Sequence, residues 1–153
     1  MKEILKSLQK TRAGNTAFAV RIMLGILFLM TGLMKFAVPE LRLAFSGQLE
    51  AGGIPFHSLN MWAVPATEVS IGVFFALGLF SRLASVVAIM TMLVATYVHL
   101  VVHDPAMFPL QPETPIIPII VIVLSLYVLW KGSGSRSLDL GGTKAQRFAR
   151  VPA

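Results

Sequence analysis

Glu68 is the side chain in this sequence that most needs a chemical reason. It follows Trp62 by six residues in an apolar run, about 9 Å along a helix rising about 1.5 Å per residue. A carboxylate on so short a stem does not reach the interface, so it has to be paired, hydrated or protonated. In the next run His99 lies about 25 Å and His103 about 31 Å from Arg82, which puts His99 at a depth similar to Glu68 and His103 near the boundary. The spacing therefore predicts one hydrogen-bonded polar site made by Glu68 and His99 in the outer half of a membrane domain, supported by Lys35 at the outer end of the first run. Spacing does not set rotation, and a Glu68 turned toward the first run would meet Lys35 instead.

His99 and His103, four residues apart, share one helical face. That spacing suits a shared metal ion or the flanks of a quinone headgroup, with Asp104 and Glu113 of the following loop closing the site from above. Histidines on an interfacial face serve hydrogen bonding alone more often than metal, so no metal site is assigned and the candidate cofactor is a quinone. A quinone gains protons as it gains electrons, and a buried carboxylate beside an imidazole suits that exchange. Glu68 and His99 are thus the candidate catalytic residues, and Lys35, Glu68, His99, His103 and Glu113 the candidate cofactor-binding set. Arg21 lies about one turn inside the cytoplasmic edge, where its long side chain is expected to snorkel to the headgroups, so lysine should replace it. His57 is expected to be solvated.

These side chains need apolar helices to hold them. Of the 153 residues 56% are hydrophobic and 13% charged, more apolar surface than a soluble domain of this size can bury. Four runs, 17–36, 62–80, 83–102 and 114–130, come close to the roughly 20 apolar residues that cross a hydrocarbon layer about 30 Å thick. They are apolar at nearly every position instead of alternating, and an open sheet would leave unpaired edges in lipid. The expected fold class is all-α, an integral membrane four-helix bundle with antiparallel spans. Lysines ahead of the first run resemble the start of a secretory signal. That run is too long, contains Arg21 and lacks a small-residue cleavage site, so it reads as a retained span.

The formal charge of +6 is sorted by side and not gathered for nucleic acid. Lys2, Lys6, Lys10, Arg12, Arg82, Lys131, Arg136, Lys144, Arg147 and Arg150 fall on one side, Lys35 and Arg42 on the other. The positive-inside rule then places both termini in the cytoplasm, with anionic headgroup contact as a secondary role. Residues 1–16 form a basic N-terminus, 17–131 the transmembrane domain with an outer loop at 37–61, and 132–153 a basic tail expected to lack a fold of its own.

Within the outer loop Leu41, Phe45 and Leu49 recur at helical spacing, which fits a short interfacial helix as well as an irregular loop. Ser81 and Arg82 are expected to form the tight turn between antiparallel second and third spans. Thr114 is expected to cap the fourth span, Pro115 to open it and Pro118 to distort its first turn. Gly25, Gly32, Ser70, Gly72, Gly78 and Ala88 are among the small residues where helices can approach. Trp62 and Trp130 stand at opposite interfaces.

Arg21, Gly25, Phe28, Gly32 and Lys35, then Glu68, Gly72, Gly78, Ser81 and Arg82, and finally the run from Gly132 through Ser137, Leu138 and Asp139 together resemble the DoxX family of four-span membrane proteins. The resemblance implies an inner-membrane protein tied to redox metabolism, because relatives are named for quinone-linked oxidoreductases that accept electrons from sulfur compounds. Others act in oxidative or thiol stress or assist maturation of other proteins. It also implies weight for Arg21, Lys35, Glu68 and Arg82. The sequence contains no cysteine and no facing histidine pair for haem, so a quinone-linked subunit would take its electrons from a redox partner. The alternative is a non-catalytic membrane scaffold or assembly factor. A transporter has little support from four short spans without internal repeats. The expected partners are membrane lipids, a redox protein and a quinone, with homo-oligomers compatible and nucleic acid excluded.

Overall fold

The computed structural model describes residues 14–111 and 114–141. Its helices are α1 (Asn15–Ala37), α2 (Pro39–Ala51), α3 (His57–Leu77), α4 (Ser81–Val101), a 3-10 turn (Pro105–Met107) and α5 (Ile116–Lys131). Among the described residues there is no strand, in agreement with the all-α expectation. By length and composition α1, α3 and α4 can each cross a membrane, and α5, with 16 residues, is a shorter apolar helix rising about 24 Å. Ile26, Met30 and Leu33 on α1 and Met90, Leu93 and Val94 on α4 point outward. Such faces meet lipid.

Two boundaries differ from the sequence reading. α3 starts at His57, five residues before Trp62, and ends at Leu77, so the tight turn is Gly78–Phe80 and Ser81 is already helical. Glycine decides this. Gly78 takes φ +65, where the Leu79 N–H reaches Phe74 O at 3.0 Å and the Gly78 N–H reaches Phe75 O at 3.2 Å, a Schellman ending. At the head of α5 the residue before the helix is Pro115 and not Thr114, and no side chain caps it. Pro118 then falls in the first turn, where its missing N–H has no intrahelical acceptor to lose, so the expected distortion has no cause.

α1 packs mainly on α3 and α4 mainly on α5, while α3 and α4 touch more lightly despite their short connection. Glycines let α1 and α3 close up. A Cβ on Gly72 would stand 2.7 Å from Leu29 N, and one on Gly32 would stand 2.9 Å from Pro65 O. Leu24, Phe28, Ile71, Phe75, Ala88 and Val121 fill the shared core.

α2 touches α1, α3, α4 and the 3-10 turn, so it lies across one end of these helices, called here the upper end. Pro39 opens it, and its buried Phe45 and Leu49 face the helices beneath, so of the helix and the irregular loop that their spacing leaves open the chain takes the helix. At its edge Trp62 stacks on Phe36 at 5.9 Å, with the Arg42 guanidinium 4.3 Å over the indole. The lower end is closed by residues 132–141, which fold back against α1, α3 and α4.

Candidate functional site

Lys35 and Glu68 meet near the upper end. Gly25 lies against Gly72 and Ala76 while Gly32 lies against Pro65 and Val69, so α1 and α3 run antiparallel and Lys35 stands about one turn above Glu68. Helical side chains lean toward their own N-terminus, so Lys35 reaches down and Glu68 reaches up. The ammonium bonds both carboxylate oxygens at 2.6 Å. Glu68 is buried, with 4% of its side chain exposed, whereas Lys35 keeps 20%. The Phe45 ring of α2 lies 4.9 Å from the ammonium and covers it. This is the second arrangement open to Glu68 from its sequence position.

The expected bond between Glu68 and His99 is absent. Glu68 lies nine residues above the lower end of α3 and His99 eighteen above the start of α4, a height difference of roughly 13 Å on straight helices. The early end of α3 shifted that register. His99 is 7% exposed; its Nδ1 donates to Ala95 O at 2.8 Å and its ring lies 4.3 Å from that of Phe108. Its Nε2 is buried and has no hydrogen-bond partner among the described residues. His103, one turn on, is exposed, and Asp104 caps the 3-10 turn through Ala106 N at 3.0 Å. Glu113 lies outside the described residues. His57 is half-buried and 3.0 Å from Ser46 Oγ, so it ties α3 to α2 and is not simply solvated.

Arg21 does not snorkel. It is fully buried, and its guanidinium donates to Ser133 O at 2.9 Å, to Phe75 O, to Ala76 O at 2.9 Å and to Arg136 O at 3.2 Å. Two of these are carbonyls from the last turn of α3: Ala76 O, of the kind a helix end leaves without an intrahelical partner, and Phe75 O, which also accepts from the Gly78 N–H. The others belong to residues 132–141, so the expected unstructured tail is an ordered part of the fold as far as residue 141. Asp139, also fully buried, accepts from Phe80 N at 2.9 Å, Ser81 N at 3.2 Å and Ser133 Oγ, capping α4 from a distant segment. Phe80, at φ +47, is held in its left-handed conformation by that bond. Gly134, at φ +74, packs on the start of α1, where a Cβ would come 2.5 Å from Phe18 N.

Sequence spacing missed Asp139 and Ser133. The signal available was the paired glycines around the Ser-Leu-Asp ending, which are turn-formers more than tail. The two ionic centres differ in chemical scope. Arg21 donates to backbone carbonyls, Asp139 accepts from backbone N–H groups and the Ser133 hydroxyl, and both hold helix ends. Lys35 and Glu68 form the candidate site, since Lys35 has a third N–H and partial exposure, and the pair can hydrogen-bond or exchange a proton with a headgroup entering beside Phe45.

A family model described as DoxX matches residues 16–104, more than half of the chain. The match takes in α1 to α4, including Arg21, Lys35, Glu68, Arg82, His99 and His103, and ends before Gly132. No curated protein and no solved structure matches the chain.

Proposed function

The chain belongs to the DoxX family, and from that membership we propose that it is the inner-membrane subunit of a quinone-linked oxidoreductase or redox-stress complex. The observation that carries this reading is the Lys35–Glu68 pair, a buried carboxylate held by a partly exposed ammonium under an aromatic ring. A bound quinone would supply the electron-accepting ring. Lys35 would donate a hydrogen bond to its headgroup oxygen, Glu68 would exchange the proton, and Phe45 would restrict water. Electrons would come from a redox partner. Purification in mild detergent followed by lipid extraction tests this: quinone should accompany the wild-type chain and be depleted by at least fivefold in Glu68→Gln. Glu68→Gln should stay folded, because its amide still accepts from Lys35. Quinone absent from the wild type, or equal in both, would reject the assignment.

The same reading has the chain cross the bilayer four times as an antiparallel bundle, with the lower end and both termini cytoplasmic. Arg82 bonds Trp130 O at 3.2 Å and Lys131 lies over the Trp130 ring, so these cations share the lower end with Arg136, opposite Lys35 and Arg42. In intact cells, an impermeant thiol reagent should label a cysteine introduced at position 53 but not one at position 136. Labelling at 136 alone would invert the topology.

A non-catalytic scaffold or assembly factor is the second reading. It is favoured by the closure of the ion pair on itself, since Lys35 already occupies both Glu68 oxygens.

A further inference from the structure

His99 is polar, more than nine-tenths buried and only half satisfied. Its Nδ1 faces Ala95 O, which can only accept, so the neutral ring carries its proton on Nδ1. In that form Nε2 is an acceptor with no donor among the described residues. The Phe108 ring lies 4.3 Å from the imidazole, and Phe108 in turn packs with Val98, Val102, Ile54 and Met107, all apolar. A buried acceptor left in such surroundings is costly, and a ligand hydroxyl would relieve it. The covering ring belongs to the connection between α4 and α5 and not to a long helix. That connection is fastened to α2 through a bond from Gln48 Nε2 to Met107 O, and Phe108 packs with Val98 and Val102 apart from the central cluster of Leu24, Phe28 and Phe75, so a ligand seated there would displace the ring and leave that cluster in place.

We propose that His99 Nε2 is the hydrogen-bond acceptor of a second ligand site under Phe108, one that takes a neutral, flat, apolar-bodied hydroxyl compound and so selects the reduced, hydroquinone form over the oxidised one. The choice of a hydroquinone among hydroxyl compounds rests on the quinone-linked reading above. The selectivity rests on His99 alone. A hydroquinone presents an O–H to the lone pair, whereas an oxidised quinone presents only acceptors and leaves Nε2 unsatisfied against a carbonyl oxygen. The site is separate from Lys35–Glu68, whose ammonium can donate to the headgroup oxygen of either redox form.

The test is anaerobic equilibrium binding of a short-chain ubiquinol and its oxidised ubiquinone to the full chain in lipid nanodiscs, for wild type, His99→Leu and Phe108→Ala. Wild type should bind the reduced form about tenfold tighter, the scale of one buried hydrogen bond made or left unmade. His99→Leu should remain folded, since removing an orphan acceptor does not weaken the core, and its preference should fall to about onefold. Phe108→Ala, which opens space beside the imidazole without touching Nε2, should keep the reduced-form preference. Equal affinity for the two forms in wild type, or an unchanged preference in His99→Leu, would overturn the His99 site and leave the quinone-linked reading standing. Failure of both forms to bind would overturn both.

Discussion

Arg21→Lys should destabilise the folded protein by about 3 kcal/mol, read as a drop of roughly 10 °C in the thermal midpoint of the purified chain. The guanidinium serves four carbonyls on two separate segments, Phe75 and Ala76 at the end of α3 and Ser133 and Arg136 in the closing segment. A single ammonium on a shorter stem cannot span that fan, so at least two buried carbonyls lose their donor. The damage should spread to the α4 cap, because Asp139 lies in the same closing segment and acts electrostatically on Arg21. An Arg21→Lys chain with the midpoint of the wild type would show that the guanidinium fork is dispensable and that headgroup contact suffices.

That expectation reverses the one drawn from spacing, and the reversal shows what a linear reading can reach. The apolar runs, the glycine contacts between α1 and α3 and the helical spacing of Phe45 and Leu49 follow from periodicity and residue size, which are local. The role of Arg21 is not legible in this way, because snorkelling depends only on depth whereas its partners lie 54 to 115 residues away in the chain. The same holds for the segment 132–141, since the use of a Gly- and Ser-rich stretch is visible only once α3 ends at Leu77 and exposes the carbonyls and N–H groups it closes. The depth of Glu68 shows that it needs a partner. Which partner it takes is not legible from spacing, because ending α3 three residues earlier moves every height on the far side of the turn. Resemblance helped where spacing could not: it gave weight to Arg21, Lys35 and Glu68 together, and the structure joins the last two directly.

Lys35→Met should be the most damaging single change at the upper end, lowering stability by about 3 kcal/mol, because it leaves the Glu68 carboxylate buried without its ammonium. The partial exposure of Lys35 keeps the loss toward the lower end of what breaking a buried pair costs. Glu68→Leu alone should hurt less, since a stranded ammonium on a long stem can turn toward solvent past Phe45. The double variant Lys35→Met with Glu68→Leu should recover most of the lost midpoint, because two apolar side chains of similar volume fill the space without a desolvated charge. The double variant then separates the two functional readings. A scaffold uses the pair only to lock α1 to α3, so a refolded double variant should keep its partner and its phenotype in cells. A quinone-linked subunit uses the charges themselves, so the same well-folded protein should lose bound quinone and partner-dependent electron transfer. Stability regained with quinone retained would remove the ion pair from the chemistry, while stability regained with quinone lost would leave it no purely structural explanation.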